Sequence, residues 1–313
     1  MELLYIIIFN LIITFLIINF LRTGFIKKLI DIPNKRSSHT KATISGGGLS
    51  FVLSLIIICL INKVYFPLIL LPLALIGFLD DIFKLSARIR YSIQLLTAFA
   101  ILSNSSLYLK TFKEFGLNHL LFTFILIISI TAIINFINFM DGLDMLIGNS
   151  FFIFLFLYST FYDIFFLPVT ASLLVFLFYN KPPAKIFMGD IGSTFLGSLF
   201  CLIVLRSVSW NQAIGFVFIL SPLFMDTILT RFLIYINGHN FFAPHKFHLY
   251  QRLYQSGYSK LNINFIYCLP ILLNFIVFRY LGLSILFFII SLELSLGFYL
   301  DRKIVTKVPN LKA

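Results

Sequence analysis

Charge is scarce in this chain. Only 12% of its 313 residues are Asp, Glu, Lys or Arg, and just 12 of those are acidic. So few charges cannot cover a water-facing surface of this size, which excludes an ordinary soluble domain. Cysteine is scarcer still. Cys59, Cys201 and Cys268 stand singly inside apolar runs with no CxxC spacing. That excludes a disulfide framework or a thiolate zinc site and leaves them as core residues. Linkers, internal repeats and groove-reading motifs are missing as well. Nucleic acid is therefore not an expected partner, and residues 1–313 are expected to form one helical membrane domain.

What the chain does have is apolar mass: 60% hydrophobic residues, 18% aromatics and 40 Phe. A hydrocarbon core is crossed by roughly 20 apolar residues. By that rule the sequence predicts about eleven spans, at 3–21, 48–62, 65–79, 91–109, 119–137, 145–160, 164–179, 194–209, 213–234, 261–279 and 283–300. The fold class is all-α, polytopic, embedded in the lipid bilayer. The first apolar stretch opens with an acid and lacks a small-x-small cleavage site, so it is expected to stay as a span. Arg22, Lys27 and Lys28 follow it. This predicts the N-terminus outside and the next loop in the cytoplasm. With that orientation every Lys and Arg except Lys63, Lys110, Lys113, Arg206 and Arg279 falls on the cytoplasmic side. The excess of positive charge then needs only topology and anionic lipid to explain it.

The polar clusters are expected on that same side. Asp80 and Asp81 end an apolar run, and adjacent acids need a cation: either Lys84, Arg88 or Arg90 nearby, or a divalent metal. The alternative is a charged surface loop. The first loop carries Lys35, Arg36 and His39 ahead of Gly46, Gly47 and Gly48, whose bare amides at a helix start could approach a phosphate or simply form a flexible turn. After the fifth span, Asn135, Asn138, Asp141 and Asp144 share nearly one helical face, which favours a polar ligand over capping alone. In residues 180–197, Pro182 and Pro183 break the helix, Asp190 is the lone acid, and Phe187 could stack on a planar base. Asp190 and Ser193 could equally cap the next helix. In the longest cytoplasmic segment His245 and His248 stand three apart. Zinc would want further Cys or His ligands, so contact with phosphate is the expected role. Asp226 and Glu293 are acids placed within apolar runs, by default functional or paired groups. Carboxylates, a His pair and basic residues on one membrane face suit magnesium or manganese with substrate phosphates, and so phosphoryl transfer at the lipid boundary.

In order along the chain, DIPNKRSSHTKATISGGG, FLDDIFKLSARIRYSIQ, NFINFMDGLDML, PPAKIFMGDIGS and PHKFHLYQRL resemble the motifs of the polyprenyl-phosphate N-acetylhexosamine-1-phosphate transferases, the superfamily of WecA-type and MraY-type enzymes. The resemblance covers essentially the whole chain. It implies transfer of a sugar 1-phosphate from a UDP-N-acetylhexosamine to undecaprenyl or another polyprenyl phosphate, with Mg2+ (or Mn2+), giving polyprenyl-diphospho-sugar and UMP. It implies an inner-membrane enzyme and leaves a homodimer open. By resemblance Asp80 and Asp81 are the paired acids, one of them a base or metal-associated group, and Asp190 is the magnesium-binding acid. Asn138, Asp141 and Asp144 are the nucleotide-side cluster, Asn180 and Phe187 uridine contacts, and His245 and His248 the histidine motif at the diphosphate. Lys35, Arg36, His39, Arg88 and Asn135 are further expected substrate contacts.

Two departures bear on the substrate. MraY-type enzymes carry three consecutive histidines, whereas this chain has Pro244-His245-Lys246-Phe247-His248. That points away from a muramoyl-pentapeptide donor and toward the branch that begins O-antigen or related surface glycans from an N-acetylated hexosamine or 6-deoxyhexosamine. Met145 stands where the DGxDG pattern has its second glycine. An aspartate-rich prenyltransferase would show repeated DxxxD motifs, and a transporter would set its ionisable groups near the midplane. A non-catalytic lipid-binding homologue is the remaining alternative.

Overall fold

The computed structural model describes residues 2–33, 41–114, 119–238 and 245–305. Among them the helices run α1 Glu2–Arg22, α2 Leu49–Asn62, α3 Leu71–Phe83, α4 Ala87–Ser103, α5 Ser106–Glu114, α6 His119–Met140 and α7 Leu146–Phe161. They continue with α8 Leu167–Asn180, α9 Gly189–Leu205, α10 Trp210–Ile219, α11 Ser221–Ile236, α12 Leu249–Gln255 and α13 Lys260–Lys303. A two-residue antiparallel pair, β1 Ile30–Asp31 with β2 Thr43–Ile44, is the only sheet among the described residues. The protein is an all-α, polytopic membrane protein.

All eleven predicted segments fall on helices. Four helices are long and apolar enough on their own, and six if each sharply bent pair is one span. The bent pairs are α4 with α5, at 77°, and α10 with α11, at 71°. The second break coincides with Pro222 at the start of α11, where a missing N–H and a fixed φ favour a new helix start. Helices α2, α7, α8 and α9 have 14, 16, 14 and 17 residues, short of a full crossing. Two predicted spans merge into α13, which breaks its helical geometry at Gly282 (φ 83°).

Helix α9 is the centre. Every residue from Ile191 to Leu205 is buried, as expected of a helix apolar on all sides. It packs against α2, α3, α4, α5, α6 and α10, while α1 lies outside on α8 and α2. Large side chains on the outer helices, such as Tyr5, Phe9 and Phe15 of α1 and Phe265 and Phe288 of α13, are exposed. They offer lipid a surface that water would penalise.

Small residues set how closely α9 is approached. A Cβ at Gly77 of α3 would lie 2.7 Å from the carbonyl oxygen of Asp190 and 2.7 Å from Cα of Ile191. Gly48, at the start of α2, lies against Gly192. The glycine run is thus spent on packing: Gly47 and Gly48 donate their amides to the carbonyls of Phe187 and Met188, both at 2.9 Å. They are not amides held open for a phosphate. One strand of contact continues through Ile44, whose carbonyl accepts from Phe187 N at 2.8 Å.

Gly77→Ala should therefore force α3 and α9 apart at an overpacking cost of about 1–3 kcal/mol. A lowered thermal midpoint of the detergent-solubilised protein is the expected readout. An unchanged midpoint would show that the two backbones have room to spare.

Candidate active site

Helices α3 and α6 end, and α9 begins, at one end of the bundle, and their termini surround a polar cavity of about 490 Å³. Asp81, Asn138, Asp141, Asp144, Asn180, Phe187 and Asp190 line it. Carboxylates from distant parts of the sequence, Asp81, Asp141, Asp144 and Asp190 with Asp31, thus line one space.

The N-terminus of α9 explains the arrangement. Its first residue, Gly189, has φ +76°, and no side chain of its own caps the helix. The cap comes from α3 instead. Asp81 accepts from the amides of Asp190 at 3.0 Å and Ile191 at 3.3 Å, so an anion satisfies two orphan donors at the positive end of the helix dipole. Asp80 is buried behind the cavity, beside the Asp190 carboxylate. It accepts from Leu85 N at 2.6 Å and from Arg90 Nη1 at 2.9 Å. The same Arg90 nitrogen lies 3.6 Å from Asp190 Oδ2, while Asn138 Nδ2 donates to Asp190 Oδ1 at 3.0 Å and to Ser193 Oγ at 2.9 Å. Asp190 is held from two sides, with its carboxylate at the cavity wall.

Asp144 is a junction. Its Oδ2 accepts from Lys260 Nζ at 2.8 Å and Ala184 N at 3.2 Å, and its carbonyl accepts from Asn264 at 2.9 Å. It ties the 141–145 loop to the 181–188 loop and to the start of α13. Asn180 is a second junction. Its Oδ1 accepts from Met145 N at 2.7 Å and its Nδ2 donates to Ile186 O at 2.8 Å. Met145 itself adopts φ 67°, the left-handed conformation a glycine would take without strain.

Asp141 stands apart. Among the described residues no donor reaches its carboxylate. Burial, together with the charges of Asp190, Asp81 and Asp144, holds its pKa well above the ordinary carboxylate range. A cation brought into the cavity would relieve that repulsion. Carboxylate oxygens, hard donors of the kind magnesium and manganese take when phosphate and water complete the shell, line the cavity at Asp190, Asp81 and Asp141. Among the described residues no three His, Cys, Asp or Glu side chains stand close enough together to hold a metal ion by themselves.

Other expected site residues lie elsewhere. Arg88 is exposed and does not line the cavity; Arg90, two residues on, reaches the acids. Asn135 exchanges hydrogen bonds with Gln94, at 2.8 and 3.3 Å, in a small pocket behind the site. Neither His245 nor His248 lines the cavity. His248 is buried with Nδ1 3.5 Å from Asp226 and caps α12, and the His245 ring stacks on Phe247. Asp226 is fully engaged there, by Leu249 N, Tyr250 N, Thr230 and Tyr267. Lys35, Arg36 and His39 lie outside the described residues. Polar cavity residues not expected from the sequence include Lys28, Asp31, Ser45 and Gln251. The basic doublet after α1 was the available signal for Lys28; Gln251 had none beyond its place one turn past His248.

A polytopic helical membrane protein with an acid-lined polar cavity at its helix ends is the class that fold and site define. Comparison with known proteins narrows it. The glycosyl transferase family 4 model matches residues 63–208, the stretch holding Asp80, Asp81, Asp141, Asp144 and Asp190. A probable undecaprenyl-phosphate N-acetylglucosaminyl 1-phosphate transferase of Bacillus subtilis is 33% identical over 253 residues, 74% of this chain and 71% of that protein. An undecaprenyl-phosphate alpha-N-acetylglucosaminyl 1-phosphate transferase of Thermotoga maritima is 33% identical over 172 residues, 55% of this chain and 54% of that protein. A phospho-N-acetylmuramoyl-pentapeptide-transferase of Chloroflexus aggregans is 29% identical over 235 residues, 61% of this chain and 64% of that protein. The chain belongs to glycosyl transferase family 4.

Because the folded protein raises the Asp141 pKa, it binds this proton more tightly than the unfolded chain does, and stability falls as pH rises out of the ordinary carboxylate range. Asp141→Asn should therefore raise the thermal midpoint of the ligand-free protein at neutral pH. The gain should shrink as pH is lowered toward that range. A midpoint that drops at neutral pH would contradict the repulsion at this site.

Proposed function

We propose that the protein transfers an N-acetylated sugar 1-phosphate from a UDP-sugar to undecaprenyl phosphate, releasing UMP and leaving a polyprenyl-diphospho-sugar. The observation that carries this reading is the convergence of Asp81, Asp141 and Asp190 on one polar cavity whose rim also holds Lys28 and Lys84. Relatives named as undecaprenyl-phosphate N-acetylglucosaminyl 1-phosphate transferases support the acceptor and the sugar class. An oxygen of the lipid phosphate attacks the phosphorus that bears the sugar, the bond between the two phosphates breaks, and UMP leaves with the bridging oxygen. No proton need move for this exchange to balance.

The residues divide the work by charge. Lys28 and Lys84 draw phosphate oxygens to the cavity and hold them against the acids. Asp190, with Asp81 and Asp141 beside it, would hold a magnesium ion, which supplies charge neutralisation for the diphosphate as the leaving group forms. Asn138 and Arg90 fix the Asp190 carboxylate, and Phe187 offers a ring at the cavity wall to the uracil base. In this reading the protein sits in the bacterial inner membrane, with the cavity facing the cytoplasm, where nucleotide sugars are made. The product would start an O-antigen or related surface glycan.

The test is UMP release by the purified protein with undecaprenyl phosphate, magnesium and a panel of UDP-N-acetylhexosamines and their 6-deoxy relatives. Release that requires lipid, metal and one donor is expected. Asp190→Asn should lower it by at least ~100-fold, the scale of a lost electrostatic contact to the transition state, with the thermal midpoint little changed. Near-normal turnover of that variant would remove Asp190 from the chemistry.

A further inference from the structure

The histidine segment reaches the cavity through a residue that is not a histidine. Among the described residues from 245 onward, Gln251 alone lines the cavity, and its orientation is fixed by a donor that cannot be exchanged. The backbone N–H of His248 donates to Gln251 Oε1 at 3.3 Å, half of the capping box that starts α12. A backbone N–H can meet only the amide oxygen, so the amide nitrogen must face the opposite way. It lies over the bend that carries Asp141: a Cβ on Gly142 would stand 3.5 Å from Gln251 Nε2. Nε2 has two hydrogens. The neighbouring Tyr250 hydroxyl, which donates to the Phe139 carbonyl at 3.2 Å, also meets the Gln251 amide. Gln251 itself lines the cavity.

We infer that Gln251 is a substrate-contact residue whose Nε2 donates a hydrogen bond to a diphosphate oxygen of the nucleotide sugar. The inference rests on the transferase reading above. Its chemistry follows from the surroundings. The cavity wall at this point is acidic, with Asp141 and Asp144 on the adjoining loop. A diphosphate placed there needs donors that do not themselves ion-pair with those acids, and a neutral amide meets that need where Lys or Arg would be captured by a carboxylate. The capping bond makes the contact rigid, because Gln251 cannot rotate away without losing the start of α12. Gln251 thus couples ligand contact to the segment that buries His248 against Asp226.

The test uses the full-length protein in detergent with magnesium, measuring UDP and uridine binding by calorimetry. Gln251→Glu keeps the oxygen that caps His248 and replaces the donor with an acceptor. Gln251→Met removes the donor without adding charge. Loss of one hydrogen bond to a charged oxygen predicts UDP affinity about tenfold or more weaker in Gln251→Met, and weaker still in Gln251→Glu, where an anion meets phosphate. Uridine affinity should be unchanged in both. UDP affinities within twofold of wild type, or equal losses for uridine and UDP, would overturn the assignment while leaving the transferase reading intact. A wild-type protein that binds no UDP would remove that reading and this inference together.

Discussion

The site depends on how the start of α9 is neutralised. A helix that begins against its neighbours at the wall of a cavity brings unpaired amides and a partial positive charge to that wall. Asp81 answers both needs from a different helix. The contact is possible only because Gly77, one turn earlier on α3, lets the two backbones touch. Within the acid pair Asp81 caps α9 from the cavity wall, and Asp80 binds Arg90, which in turn leans toward Asp190. Breaking the helix–helix approach would move Asp190 before it disturbed any ligand.

Around that fixed point the protein keeps more negative charge than it neutralises. Arg90 and Lys260 are committed to Asp80, Asp190 and Asp144, and Asp141 has no donor among the described residues. Such a site is destabilising when empty and is relieved when a cation arrives with a phosphate-bearing ligand. This trade of stability for binding is common at functional sites, where groups are held ready for charge that appears only during reaction.

Much of this was legible in the sequence, and the misses have physical causes. The helical segments followed from hydropathy, and the acids that converge were those interrupting apolar runs. Helix lengths were less legible, since four apolar segments read as spans by composition are helices of 14 to 17 residues. On α6, Asn135 and Asn138 share a face, so only the neighbours decide their fates: α4 presents Gln94 to one, and α9 presents Asp190 to the other. On α4 the signal was there to use. Gln94, Thr97, Ala98 and Ile101 are its buried stripe, and extending that stripe back one turn selects Arg90 over Arg88. The histidine pair was ambiguous because spacing of three suits ligation and capping alike, and the fold places His248 at the start of α12, with Nδ1 3.5 Å from Asp226. Met145 reads as a departure in sequence; its positive φ shows the glycine geometry kept without the glycine.

The most direct measurement is manganese binding, followed by electron paramagnetic resonance, with the purified protein in the presence and absence of UDP. One bound ion per chain, tightened by UDP and lost in Asp190→Asn, is what an acid cavity awaiting a metal and a diphosphate predicts. Manganese that stays free with UDP present, or binds equally well to Asp190→Asn, would contradict the account.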